Sequence, residues 1–259
     1  MATYYNEHEP FAAEWLRNLI AAGHIAAGVV DERDITDVTP NDLKYFTQHH
    51  FFAGVGIWSA ALRAAGWPDN RPIWTGSCPC QPFSQAGTGV GFDDKRHVWP
   101  AWYWLITQCR PATIIGEQVA SKSGLAWFDL VQADLEGTAY AVGAVDMCAA
   151  GIGAPHIRQR LWFVANSHSV VSSLADTNSN GRKQGRLQLH AGQQAAPVQS
   201  GHATWDGAGW IDCSDGKQRP IEPGTFPLVN GYPDRVGRLR AYGNALCLPL
   251  ATQFIKSIM

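Results

Sequence analysis

Several common features are missing from this chain, and each absence narrows the reading. No apolar run approaches the roughly 20 residues needed to cross a bilayer. The opening Met1-Ala2-Thr3-Tyr4-Tyr5-Asn6 has no apolar signal region, so no membrane partner is expected. The 6 cysteines, at 78, 80, 109, 148, 213 and 247, lack secretory spacing. Reduced thiols in a cytoplasm are expected instead of a disulfide scaffold. Cys78, Cys80 and His97 suggest zinc, but no second Cys-x-x-Cys and no histidine pair completes a ligand set, so no metal is expected. Charge is sparse as well. With 16% charged and 46% hydrophobic residues in 259, the chain reads as soluble with a substantial core: one large domain, or one with a small appendage.

The formal charge of −2 gives no hint of nucleic acid, but its distribution does. Residues 1–150 hold 9 Lys and Arg against 16 Asp and Glu, whereas residues 151–259 hold 11 against 6. The halves stand at −7 and +5, as expected if the second faces a polyanion; the alternative is chance clustering of solvated charges.

Apolar periodicity places short strands and helices along the chain. Residues 2–5 read as a strand, and Phe11 to Ile20 as a helix stopped at Gly23. A short apolar stretch spans Ile25 to Val30, and Pro40-Asn41-Asp42 opens a turn or short helix. Phe51-Phe52-Ala53-Gly54-Val55-Gly56 leads into a helix from Trp58 to Ala65 closed by Gly66. Strand, glycine-rich turn and helix bring backbone close to a nucleotide-like ligand, although glycines also serve turn geometry alone. Pro72-Ile73-Trp74 reads as a buried strand ending in Thr75-Gly76-Ser77-Cys78-Pro79-Cys80-Gln81-Pro82-Phe83-Ser84. An aromatic helix from His97 to Cys109 follows, then a strand Thr113-Ile114-Ile115 delivering Gly116-Glu117-Gln118-Val119 at its end. Leu125 to Leu135 is helical, Tyr140 to Met147 and Leu161 to Ala165 form a hairpin-like pair, and a final helix starts near Pro249.

A thiol at the carboxyl end of a strand in an open α/β sheet sits where such sheets place their ligand crevice. Pro79 fixes the backbone before Cys80, and Gln81 and Ser84 put polar groups around the sulfur. Cys-Pro-Cys alone is also readable as two buried small hydrophobes. Glu117 is also readable as a helix cap. The glycine-rich stretch Gly87 to Asp94 suits a lid or a plain surface loop. Arg158 and Arg160, at alternate positions of an entering strand, are expected to point to one side, toward phosphate or base.

Pro79-Cys80-Gln81-Pro82-Phe83-Ser84 resembles the nucleophile loop of the DNA cytosine-5 methyltransferases, which places the attacking thiol at Cys80, not Cys78. Phe52-Ala53-Gly54-Val55-Gly56, ending 24 residues earlier, resembles the motif with which that family binds S-adenosylmethionine. Glu117-Gln118-Val119 resembles its Glu-Asn-Val, with Gln118 for Asn. Pro155-His156-Ile157-Arg158-Gln159-Arg160 resembles its Pro-Gln-x-Arg-x-Arg, with His156 for Gln, and Gly243-Asn244-Ala245-Leu246 its closing Gly-Asn-x-Val. The resemblance implies an α/β fold, a Rossmann-like S-adenosylmethionine-dependent sheet with helices on both faces. It implies catalytic roles for Cys80, Glu117, Arg158 and Arg160, and cofactor contacts from Phe52, Ala53, Gly54, Gly56, Pro79 and Asn244. The implied reaction is methyl transfer to C5 of cytosine flipped out of double-stranded DNA, by a cytoplasmic monomer, with Gln81 and Ser84 at the DNA. Whether a cognate restriction enzyme exists stays open. Two rivals are a catalytically silent homologue and an RNA cytosine-5 methyltransferase. Intact Cys80, Glu117, Arg158, Arg160 and Asn244 oppose the first, and the lack of a Cys-Phe-Thr segment opposes the second. A thiol-redox protein would use Cys-x-x-Cys rather than Cys-x-Cys.

The chain also departs from the family. Two strand–helix units normally separate the glycine motif from the nucleophile loop, and here only Trp67 to Trp74 lies between. Asn6-Glu7-His8-Glu9-Pro10-Phe11 resembles the family's ribose-binding segment, and Arg33-Asp34-Ile35 its adenine-binding Gly-Asp-Ile with Arg33 for Gly. A permuted order is therefore expected, Glu7 holding ribose and Asp34 adenine; the alternative is an unrelated N-terminal extension. The crossover from the glycine strand to the nucleophile strand is expected to be right-handed, making the helix Trp58–Ala65 pack differently from its family counterpart. Expected boundaries are 1–165 for the catalytic and cofactor-binding domain and 166–226 for a small irregular target-recognition insert. Residues 227–259 return to the catalytic domain. In the insert, Arg182, Lys183 and Arg186 are the basic points for DNA; a partly disordered loop is the other reading of it.

Overall fold

Strands at the centre of a sheet covered on both sides are buried on both faces. In the computed structural model, which describes residues 2–79, 98–154, 156–167, 209–212, 218–221 and 245–259, four such strands are β1 (Ala2–Asn6), β3 (Phe46–Phe51), β4 (Ile73–Gly76) and β5 (Thr113–Val119). With β2 (Gly28–Asp31), β6 (Tyr140–Cys148) and β7 (Gln159–Ser167) they form one seven-stranded sheet in the order β2-β1-β3-β4-β5-β7-β6. β2, β1, β3, β4 and β5 are parallel, and β7 runs antiparallel to both its neighbours. A separate two-stranded ribbon pairs β8 (Gly209–Asp212) with β9 (Gln218–Ile221). The expected α/β sheet with helices on both faces is the observed fold. Among the described residues no helix is long and apolar enough to cross a membrane.

The helices start and stop where local chemistry dictates. α1 (Pro10–Ala21) has Pro at its first position, and the Glu9 carboxylate accepts from Ala12 N at 2.8 Å. α2 is Pro40–Leu43. α3 (Ile57–Ala65) is bracketed by Gly56 at φ 79° and Gly66 at φ 88°. α4 is Trp99–Cys109, and α5 (Lys122–Gly137) is capped by Ser121, whose hydroxyl accepts from Gly124 N at 3.0 Å. α6 is Leu248–Ser257. Capping of α5 by Ser121 removes the helix-cap reading of Glu117, because β5 runs on through Val119 and holds Glu117 within the strand.

Each face of the sheet has its own core. Trp102, Leu105 and Ile106 of α4 and Leu43 of α2 pack with Tyr4, Phe51, Trp74 and Ile114. Trp58 and Leu62 of α3 and Phe254 of α6 pack on the other face with Ile73 and Ile115. Leu16 of α1 joins that second side through Tyr5, whose hydroxyl lies 2.9 Å from Ser59 Oγ of α3. α1 and α3 thus share a face, yet β1–α1–β2 steps one way along the sheet and β3–α3–β4 steps the other. The two crossovers have opposite hands. β4–α4–β5 steps the same way as β3–α3–β4 with its helix on the opposite face, so α3 is the odd one out. Against the near-universal right-handed rule, β3–α3–β4 is left-handed, which corrects the right-handed expectation. Burying Trp58 and Leu62 beside α6, about 1.5–3 kcal/mol per side chain, holds α3 on this face.

Candidate active site at the carboxyl ends of the strands

Counted from β3, the parallel strands run in the spatial order 3-2-1-4-5 of doubly wound nucleotide-binding sheets. The topological switch then lies between β3 and β4, and the crevice opens beyond their carboxyl ends. Glu7 follows β1, Asp34 follows β2, Phe52–Gly56 follows β3 and Ser77–Pro79 follows β4. Arg160 opens the antiparallel β7 opposite Val119, so it stands at the same edge.

The first three of these strand ends are tied laterally. Glu7 N donates to Asp31 O at 3.0 Å, and Ala53 N to Asn6 O at 3.0 Å. The buried Asn6 amide donates to Arg33 O at 2.9 Å and Asp31 O at 3.3 Å. Glu7 Oε2 accepts from Gly54 N at 2.6 Å and Oε1 from Glu9 N at 2.9 Å. Burial pushes the Glu7 carboxyl up, while these two N–H bonds pull it back down. Asp34 Oδ1 accepts from Thr36 N at 2.9 Å and Thr36 Oγ1 at 2.8 Å, bonds that hold its carboxyl below the usual range. Among the described residues Asp34 Oδ2 carries no hydrogen bond. Arg33 braces this loop through Asp31 at 2.6 Å and Asp42 at 3.3 Å. Sequence reasoning missed Asn6 and the Asp31–Arg33–Asp42 brace; Asn6 is signalled only by standing next to Glu7.

After β3 the backbone turns through Phe52 at φ 51°, Gly54 at φ 55° and Gly56 at φ 79°. A non-glycine residue in this region costs roughly 1–3 kcal/mol, so Phe52 is held there by its surroundings. Its ring stands edge-on to Trp102, centroids 5.9 Å apart. A Cβ on Gly54 would meet open space, whereas one on Gly56 would come within 3.0 Å of Leu16 and 3.1 Å of Ile25. Gly54 leaves room for a ligand; Gly56 serves the packing of α1 on α3. Ala53 is buried.

Glu117 is 8% exposed and pairs with Arg160, Nε to Oε1 at 2.7 Å. Burial pushes its carboxyl up, opposed by the charges of Arg160 and Arg158. Arg158, at φ 30° just before β7, donates from Nη2 to Ala245 O and so ties the start of β7 to the segment leading into α6. It therefore does not alternate with Arg160 on a regular strand as expected. Gln118 Nε2 donates to Cys78 O at 3.3 Å, and the Trp58 indole N–H donates to Ser77 Oγ at 3.0 Å. The start of the loop that leads to Cys80 is thus gripped from both faces of the sheet. Cys78 is buried and Pro79 exposed. Neither Ser77 nor Trp58 lay in a motif. Cys80, Gln81, Ser84, the Gly87–Asp94 stretch, Arg182, Lys183, Arg186 and Asn244 lie outside the described residues. Among the described residues no cluster of three or more His, Cys, Asp or Glu would hold a metal ion.

The edge therefore offers carboxylate acceptors over β1 and β2 for hydroxyl and amine donors, and a buried carboxylate with two guanidinium groups over β5. Residues 67–206, more than half of the chain, match the model of the C-5 cytosine-specific DNA methylase family. Type II methyltransferase M1.ScrFI of Lactococcus lactis subsp. cremoris is 32% identical over 114 residues, 42% of this chain. The match spans only 29% of that relative's length. Among solved structures, a mutant of Spodoptera frugiperda DNMT2 is similar with a TM-score of 0.45 and 17% identity, over 64% of this chain and 43% of that one. A putative DNA modification methyltransferase encoded within a prophage of E. coli gives 0.40 and 15%, over 66% and 48%.

Proposed function

This chain belongs to the C-5 cytosine-specific DNA methylase family, and on that premise we propose that it methylates C5 of cytosine in double-stranded DNA, using S-adenosylmethionine. The observation that carries the reading is the buried Glu117–Arg160 pair on β5, the strand beside the one that leads into the Cys80 loop.

The residues over β1 to β3 fit the cofactor. Glu7 keeps lone pairs for the two ribose hydroxyls, Asp34 Oδ2 accepts from an amino group, and Gly54 and Phe52 leave space for backbone and ring contact. When bound, S-adenosylmethionine supplies an electrophilic methyl on a sulfonium. On this assignment the permuted order is a cofactor site whose acids precede the glycine turn in the chain.

Cytosine C5 is a poor nucleophile. Addition of the Cys80 thiolate at C6 makes C5 an enamine carbon able to attack the methyl. Glu117 accepts from the N4 amino group and holds a proton toward N3 as the adduct forms, and its raised affinity for a proton suits that second role. Arg158 and Arg160 supply the compensating charge that lets Glu117 ionise inside the protein. Loss of the C5 proton and elimination of Cys80 complete the cycle. Such chemistry requires the base outside the stack.

Bisulfite sequencing of plasmid from a methylation-free host expressing the chain tests the activity. Protected cytosines in one sequence context are expected with the wild type and with Cys78→Ser, and none with Cys80→Ser. Trapping on 5-fluorocytosine DNA should follow the same pattern. Uniform conversion with the wild-type chain, or trapping that survives in Cys80→Ser, would sink the assignment.

A further inference from the structure

Trp58 and Ser59 are neighbours in the first turn of α3, directly after the glycine turn, and both are buried. Their side chains reach different strands. Ser59 Oγ accepts from Ala26 N at 3.1 Å and lies 2.9 Å from the Tyr5 hydroxyl, which stands 2.7 Å from Ala26 O. A carbonyl only accepts, so Ala26 O takes the Tyr5 proton and the Ser59 proton goes to the Tyr5 oxygen. This closed circuit of buried bonds ties α3 to β1 and to the chain leading into β2. In the other direction the Trp58 indole N–H donates at 3.0 Å to Oγ of Ser77, the first residue past β4. The indole is also set edge-on to Trp162, ring centroids 5.5 Å apart at 81°, and Trp162 is the register partner of Glu117.

We propose that Trp58 is a positioning residue that sets the spacing between the cofactor turn and the Cys80 loop. The inference rests on the reading of these two segments as the methyl-donor and nucleophile sides of one methyltransferase site. Both sides must meet one small ring together, and a misplacement of about 1 Å costs on the order of 100-fold. The ladder between β3 and β4 ends at the Phe51–Gly76 pair. One residue further on, Ser77 is tied to α3 instead, so the bond carries the spacing past the end of the sheet. The donor has no alternative. An indole nitrogen cannot accept, and at 2% exposure Trp58 has no water to turn to if Ser77 Oγ is lost.

Two readouts test this, the first without any ligand. In the folded chain the Cys78 thiol, beside Ser77 and 4% exposed, meets iodoacetamide only when the start of the loop opens. Peptide mass spectrometry reads that rate. Trp58→Phe, which keeps a ring without the N–H, and Ser77→Ala, which removes the acceptor, should each raise it about five-fold, the worth of one hydrogen bond. In single turnover with S-adenosylmethionine and DNA, each should slow methyl transfer about five-fold at saturation, with half-saturating concentrations unchanged. The double variant should again show about five-fold in both readouts, not about twenty-five-fold, because the two changes remove the same bond. Trp67→Phe, in the same core, loses an indole bond to Arg71 O of 3.1 Å and should leave both rates unchanged. Rates unmoved in a folded Ser77→Ala chain, or effects that multiply in the double variant, would overturn the role. So would a Trp67→Phe chain as perturbed as Trp58→Phe, since that would mark loosening of the whole core. If Trp58→Phe fails to fold, Ser77→Ala decides, because it leaves the indole in place. A wild-type chain that methylates no cytosine would overturn the reading of the site and this role with it, whereas undiminished transfer in Ser77→Ala overturns the role alone.

Discussion

Replacing Arg160 by Met isolates the electrostatics of the site. The Arg160–Glu117 contact is 2.7 Å long, and the two side chains are only 19% and 10% exposed. Removing one partner of a buried pair leaves an uncompensated charge and costs about 3–5 kcal/mol. The charge of Arg158 still acts on Glu117, so the lower end applies, about 3 kcal/mol. At roughly 2–4 °C per kcal/mol for a chain of this size, Tm should fall by about 6–12 °C near pH 8. The pH dependence follows from the sign of the shift. Burial already holds the Glu117 carboxyl above its ordinary value, and losing Arg160 raises it further. A carboxyl raised in the folded state favours folding while protonated, and that contribution is lost as pH rises through the folded value. The Arg160→Met deficit should therefore be largest at pH 8 and shrink as the pH falls and Glu117 takes up a proton. Adding Glu117→Gln should recover most of it at pH 8, because no buried charge remains. Urea unfolding at pH 8 and at lower pH, with unchanged slope, measures this. Equal losses at pH 8 and at lower pH, or a double variant no more stable than the single one, would refute the electrostatic account.

The cofactor assignment predicts that Glu7→Ala and Asp34→Ala each weaken S-adenosylmethionine binding by about 10- to 100-fold in calorimetry, the worth of a hydrogen bond to a charged group. DNA binding should be nearly intact in both variants. Removing residues 1–35 should abolish cofactor binding; a truncated protein that folds and binds normally would make that segment an appendage. For the second half, DNA affinity should fall steeply with salt, and Arg182, Lys183 or Arg186 to Ala should each lower the salt slope by about 1, evenly across sequences. A flat salt dependence would contradict a phosphate-facing role for these residues.

Much of the fold was legible because its strands are short and punctuated by proline, glycine and polar turns. Proline and glycine marked the ends of α1 and α3, and the hairpin-like pair became β6 and β7. The order of the strands came from a different source, the position of Glu7 and Asp34 ahead of the glycine turn, and the sheet order agrees with it. Handedness was misread. A topological rule describes the average connection, while the face chosen by α3 depends on which of its side chains meet Ile73, Ile115 and Phe254. The supporting residues were illegible for a similar reason. Asn6 acts through bonds to the carbonyls of Asp31 and Arg33, 25 and 27 residues away, and Ser77 receives the Trp58 indole across 19, distances over which periodicity and motif carry no signal. Arg33, by contrast, could be seen only as a departure from a pattern; the structure shows it braced by Asp31 and Asp42.

A pocket built from strand ends does not depend on the order in which the chain visits them. Asn6 and Glu7 reach the β2 and β3 loops sideways, through bonds between neighbouring strands that would form under either chain order. What the order does change is the exit from α3, which must lead on to β4 on the far side of β3 from β1. Right-handed crossovers prevail because a right-twisted strand feeding a helix packs back onto the sheet most easily that way. In this chain the chain direction is reset at both ends of α3 by glycines at φ 79° and 88°, a backbone region open to residues without a Cβ. Trp67, buried immediately after Gly66, then fastens the return to the second core beside Ile73. The unusual hand is thus confined to one short connection whose ends are the most adaptable positions available. The lateral bonds among the strand ends, on which binding would depend, are left untouched.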